Sequence, residues 1–225
     1  MAMSIVFFPF IIVISMATIL TPDISKSISK NDYNALENRV REVIKISFLL
    51  GISTMIICLC IGDSLGKLFF DRYDLGNYIR LAALSAPFMY MSGSTFGILN
   101  GLGKQKSLLI NSVVTSILQL ILLYILLGIP SINILGYGIA LFISSILSAI
   151  MNIASIKKSC YISFSFNEFL IDICLSILLY FILSILKNAI PDSIFVTKNV
   201  IIIATGFSLL LFSFLLTKKK NKSKD

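Results

Sequence analysis

Seven long stretches of almost purely apolar residues dominate this sequence and constrain its fold before anything else is considered. They run over Ser4–Leu20, Val43–Ile61, Leu81–Leu99, Leu108–Leu127, Ile134–Ile156, Phe169–Leu186 and Val200–Leu216. Each is long enough, or nearly so, to cross about 30 Å of hydrocarbon at about 1.5 Å per helical residue. Lipid offers no hydrogen-bond partner to open backbone, so each is predicted to be a helix. The expected fold is all-α: a polytopic membrane bundle over residues 1–217, followed by a basic tail, 218–225. Composition agrees, with 57% hydrophobic and 13% charged residues. A water-soluble domain carries roughly 25% charged residues and does not expose so much apolar surface.

The first stretch has no basic residue before its apolar core, and Lys26 follows that core. A cleavable secretory signal has the opposite order, so this is read as a retained span entering from outside.

The basic residues assign sides. Taken by alternate connections, fourteen Lys and Arg fall on one side of the seven spans and five on the other. The positive-inside rule then places the N-terminus outside and the C-terminus in the cytoplasm of a plasma-membrane protein. The net charge of +8 is absorbed by this pattern: basic residues flank spans, and Lys218, Lys219, Lys220, Lys222 and Lys224 fill the tail. Nucleic acid is therefore not an expected partner; the lipid bilayer is. The tail is predicted to be disordered and to touch anionic headgroups.

Between the first two spans, Ser29-Lys-Asn-Asp32 fits a capping box, and Tyr33, Leu36, Val40 and Val43 follow at helical spacing. Glu37 and Arg41 form a favourable i,i+4 pair. This predicts a short amphipathic helix on the cytoplasmic surface leading into span two. A weaker interfacial piece, Leu65–Tyr78, is expected on the outer side, and Gly128 and Pro130 mark an outer turn.

Chemistry is limited by what is missing. Histidine is absent, which removes Ser/His and Cys/His nucleophile pairs and histidine metal sites. Cys58, Cys60, Cys160 and Cys174 lack zinc or disulfide spacing and are read as packing residues. No phosphate loop or dinucleotide fingerprint occurs. The expectation is a protein without cofactor or catalytic centre, and any active transport would draw on an ion gradient or the membrane potential.

Polar residues inside spans are the functional candidates. Asn111, Thr115 and Gln119 recur every fourth residue of span four and share one face. Asp172, Ser176, Tyr180 and Ser184 do so in span six, and Ser144, Ser148 and Asn152 line span five. Such stripes predict either a shared polar cavity or a seam of interhelical hydrogen bonds. Asn111, Thr115, Gln119 and Asp172 are the candidates for a substrate or ion path. In span three, Gly93, Gly97 and Gly101 form a small-xxx-small row that predicts close approach of another helix, and Pro87 predicts a kink. A seven-span retinal receptor is disfavoured, because Val200–Leu216 has no lysine.

Several stretches resemble a known family. Phe8-Pro-Phe10 followed by Ala17-Thr-Ile-Leu-Thr-Pro-Asp-Ile-Ser25, then Ile98-Leu-Asn-Gly-Leu-Gly-Lys104, then Ile129-Pro-Ser-Ile-Asn-Ile-Leu-Gly-Tyr-Gly138 are similar, in that order, to motifs of the stage V sporulation protein B family. Those proteins belong to the multidrug/oligosaccharidyl-lipid/polysaccharide exporter superfamily. The resemblance covers about residues 1–160. It implies a fold of fourteen helices in two pseudo-symmetric lobes, of which the present spans correspond to the second. It also implies flipping of an undecaprenyl-linked saccharide, such as a peptidoglycan precursor. The first lobe would be a separate N-terminal chain, or the sequence a fragment or decayed form of a two-lobe protein. A cation-coupled multidrug exporter of the same superfamily and a structural membrane subunit are the alternative readings.

Overall fold

The computed structural model describes residues 1–130, 132, 134–160, 166–191 and 194–222, with 166–171 and 209–222 as backbone only. The described residues form nine helices: α1 (Ala2–Phe7), α2 (Phe10–Ser29), α3 (Tyr33–Phe70), α4 (Gly76–Ala83), α5 (Ala86–Gly101), α6 (Gln105–Leu127), α7 (Leu135–Lys157), α8 (Phe166–Ala189) and α9 (Phe195–Lys222). Among the described residues, α2, α3, α6, α7 and the Asp172–Ala189 part of α8 are long and apolar enough to cross a membrane. Two predicted spans have a different form. Span three is divided between α4 and α5, and the described apolar part of α9 is the shorter Phe195–Ser208.

Prolines set the divisions. Pro9 stands at the N-cap of α2, and Pro87 lies in the first turn of α5, where its missing N–H would have had no intrahelical partner. The kink expected at Pro87 is thus a break at Leu84–Ser85, with Ser85 donating its hydroxyl to the Ala82 carbonyl at 2.6 Å.

The segment between spans one and two corrects the sequence reading. α2 runs on to Ser29, whose hydroxyl bonds the Lys26 carbonyl at 2.8 Å, closing that helix. The cap of the next helix is Asp32, which accepts from the Ala35 N–H at 3.0 Å. Asn31 bridges the two with φ of 55°, a left-handed turn that asparagine tolerates. From Tyr33 the chain continues for 38 residues as α3, so the expected short helix is not a separate element but is continuous with span two. Its apolar stripe explains why: Leu36, Val40 and Ile44 pack against Leu20 and Ile24 of α2 and Ile98 of α5, and so do not face lipid. The expected interfacial piece Leu65–Tyr78 is likewise divided, completing α3 to Phe70 and starting α4 at Gly76. The tail residues through Lys222 extend α9 as helix, contrary to the expected disorder; residues 223–225 lie outside the described residues.

Burial is inverted relative to a soluble bundle. On α6, Asn111 and Thr115 are buried, whereas Leu109 and Leu120 are 66% exposed and Tyr124 is 87% exposed. That arrangement suits a hydrocarbon surround, and the chain is a multi-pass membrane protein. Helix α5 sits centrally, against α2, α3 and α7, while α8 and α9 pack on the far side of α3.

Candidate functional site

The glycine row of α5 faces α2. A Cβ on Gly97 would lie 2.7 Å from the Ala17 carbonyl carbon, and one on Gly101 would lie 2.8 Å from the Thr21 oxygen. With no side chain between them, the backbones come close enough for side-chain hydroxyls to bridge the helices. Thr21 donates to the Gly97 carbonyl at 3.1 Å, and Ser25 donates to the Gly101 carbonyl at 3.0 Å.

Beside this seam opens a cavity of about 790 Å³ lined by α2, α5, α6 and α7, with Phe7 of α1 at its edge. Three of its lining residues, Ser92, Ser148 and Asn152, belong to a polar network spanning three helices. Asn111 on α6 donates to the Asn152 amide oxygen and to the Ser155 hydroxyl, both at 3.0 Å. Asn152 on α7 donates to Thr95 at 3.0 Å and to Ser92 at 3.3 Å, both on α5. The Ser92 and Ser148 hydroxyls meet at 2.6 Å. Asn111 and Asn152 are 6% and 4% exposed, so the Asn152 amide, which both donates and accepts, and the Asn111 N–H groups find their partners within the protein, as buried polar groups must.

The remaining lining combines hydroxyls, two further amides and aromatic faces. Thr18, Thr21, Ser112, Thr115, Ser144, Ser145 and Ser148 supply hydroxyls; Asn100 and Gln119 supply amides; Phe10, Phe96 and Tyr137 supply rings. Among the described residues no charged side chain lines the cavity.

Three of the four candidate residues thus share one region. Asn111 anchors the network, Gln119 lines the cavity, and Thr115 lines it too while donating to the Asn111 carbonyl at 2.9 Å. Asp172 lies elsewhere. It is 2% exposed on α8, on the other side of α3, with Lys45 of α3 at 3.9 Å. The stripes of spans four and five converge as expected, and the stripe of span six does not, because α8 packs on α3 and not on α6 or α7. Ser176 bonds its own helix, and Tyr180 is exposed.

Sequence reasoning missed Ser92 and Thr95. They stand at i,i+3 on α5, next to the glycine row that drew attention to the neighbouring face. Their spacing was a usable signal. Among the described residues no three His, Cys, Asp or Glu side chains come together as metal ligands.

Comparison with known proteins adds family and fold. Residues 1–125 match the MatE family. Over 222 residues the chain is 22% identical to stage V sporulation protein B of Bacillus subtilis (strain 168), covering 97% of this chain and 43% of that protein. The fold is similar to that of lipid II flippase MurJ in an inward closed conformation, with a TM-score of 0.72 and 16% identity, covering 97% of this chain and 48% of that one. The chain therefore spans a little under half the length of both relatives.

Proposed function

Since this chain belongs to the MatE family, we propose that it forms one lobe of a flippase that moves a lipid-linked saccharide precursor across the plasma membrane during cell-wall or spore-cortex formation. The similarity to a sporulation protein and to a lipid II flippase supports this reading. In it, a second lobe of comparable size faces the α2–α6 side, and the two lobes open in turn to each side of the membrane. The N-terminus is outside and the C-terminus cytoplasmic, as the distribution of basic residues indicates.

The observation that carries the reading is the neutrality of the cavity. Among the described residues, amides, hydroxyls and aromatic rings line its 790 Å³ without one charged side chain. Such a surface matches the hydroxyls and ring faces of a sugar. It has no cation to neutralise a phosphate, so in this reading the opposite lobe supplies that charge. Asn100 and Gln119 present amides to the ligand, while Asn111 braces Asn152 of the lining from behind.

The same neutrality disfavours the multidrug alternative. A cationic drug calls for a carboxylate at its site, and the buried acid closest to that description, Asp172, stands across α3 beside Lys45. The protein acts as a transporter in this reading, with no reaction step to catalyse.

The test is reconstitution of the two-lobe protein in proteoliposomes with a fluorescent lipid-linked disaccharide. Combining Asn111→Ala with Gln119→Ala is expected to lower turnover at least tenfold while the protein still inserts. Unchanged turnover removes this cavity from the path.

A further inference from the structure

On the far side of α3 from the cavity, two polar contacts join α3 to α8. At one end Lys45 meets Asp172 at 3.9 Å, with side chains 14% and 2% exposed. At the other end Lys187 donates to the Cys60 carbonyl at 2.9 Å. From Lys45 to Cys60 is fifteen residues, and from Asp172 to Lys187 is also fifteen. The two helices therefore run parallel in one register, with clamps about 22 Å apart. The apolar interior keeps that register: Ile57 and Leu183 both lie against Gly206 of α9.

The Cys60 clamp has a local cause. Ile61, with φ of −121° and ψ of 25°, breaks the helical geometry of α3. Carbonyls at such a distortion tilt away from the ladder and accept other donors. Cys60 takes the Lys187 ammonium, and the preceding Leu59 carbonyl takes Arg80 Nε of α4 at 3.4 Å, while Arg80 also pairs with Asp63. Gly76 makes room for that pair, because a Cβ there would collide with the Asp63 carboxylate.

We infer that Lys45, Asp172 and Lys187 are positioning residues that lock α8 in register on α3, so that the part of α3 before Ile61 moves with α8 and α9 as one rigid body. Apolar side chains alone do not forbid a one-turn slip of about 5.4 Å, since leucine and isoleucine repeat on these faces. A slip would part Asp172 from Lys45 and Lys187 from its carbonyl, and separating a buried charge from its partner is costly.

Cysteine cross-linking tests this in the full chain with the four native cysteines replaced by alanine. Ile52→Cys with Leu179→Cys samples the native register, for both positions are buried in one cluster and differ by the same offset as the clamps. Ile56→Cys with Leu179→Cys samples the slip of one turn. With all three charges present, the native pair is expected to cross-link at least tenfold more than the slipped pair. In the Asp172→Asn, Lys187→Met background the ratio is expected to fall below threefold. A ratio still at tenfold overturns the inference. Should that background fail to fold, Lys45→Asp, Asp172→Lys and their combination decide: lowered ratios in both singles with recovery in the swap support the lock, and native ratios in both singles overturn it. The readout is geometric, so its failure leaves the proposed transport function untouched.

Discussion

Gly97→Ala sets two effects against each other with calculable signs. Alanine favours a helix over glycine by about 1 kcal/mol, which argues for stabilisation. Against this, the new methyl would sit 2.7 Å from the Ala17 carbonyl carbon, in the backbone of α2. No side chain can turn aside to accept it, so α2 and α5 must separate by several tenths of an ångström. Overpacking of this kind costs about 1–3 kcal/mol. The separation also stretches the 3.1 Å bond from Thr21 to the Gly97 carbonyl, a class of bond that contributes about 0.6 kcal/mol in membranes. The expected net is a loss of about 1–3 kcal/mol. Reversible unfolding in mixed micelles, followed by circular dichroism as SDS is added, measures it. Gly128→Ala is the milder comparison: it stands at the C-cap of α6 with φ of −72°, which alanine adopts freely, and its nearest neighbour would be the Tyr124 carbonyl at 3.3 Å, so a much smaller change is expected. A Gly97→Ala protein as stable as the parent would refute the claim that the α2–α5 seam rests on close backbone approach.

Other outcomes follow from separate features. In a double-mutant cycle of Asn111→Ala and Asn152→Ala, the coupling is expected near about 0.6 kcal/mol by the same unfolding assay, and additive losses contradict the direct amide bond. Lys45→Met is expected to destabilise by about 3 kcal/mol, because it strips a nearby cation from an almost fully buried carboxylate; a loss under about 0.5 kcal/mol argues against the ion pair. Tyr90→Phe removes the hydroxyl that donates to the Val6 carbonyl at 2.6 Å while keeping the ring against Phe10, so a loss of about 1 kcal/mol is expected. The hydrogen bond from Arg72 holds the exposed Asp74 carboxyl below its ordinary range. Its contribution is present above the usual carboxylate pKa and fades as pH falls through the lowered one. Arg72→Ala should return the Asp74 NMR titration to the ordinary range, and an unmoved titration would discount the pair.

The fold class was legible because lipid leaves few options: an apolar run must be a helix, and its polar face must turn inward. For that reason Asn111, Thr115 and Gln119 were recognisable from spacing alone, and the glycine row announced a close neighbour. Spacing on one helix does not say which helix comes next to it. Asp172 stands at the same periodicity as Asn111, and only the packing of α8 on α3 separates them. Helix ends were the least legible part. Ser29 and Asp32 are both good caps, and the choice between them depended on α2 packing with α3 beyond the apolar run, which is a tertiary effect. Ser92 and Thr95 were overshadowed by the glycines next to them.

Helix α3 is about 57 Å long at 1.5 Å per residue, against about 30 Å of hydrocarbon, and its regular geometry is interrupted only at Ile61. Such a rod works as a lever with its fulcrum far from one end. From Ile61 back to Tyr33 the arm measures about 42 Å, so a bend of about 10° at the fulcrum carries the tip through roughly 7 Å. A slight change of angle deep in the bundle is thereby converted into a displacement wider than a helical turn at the surface.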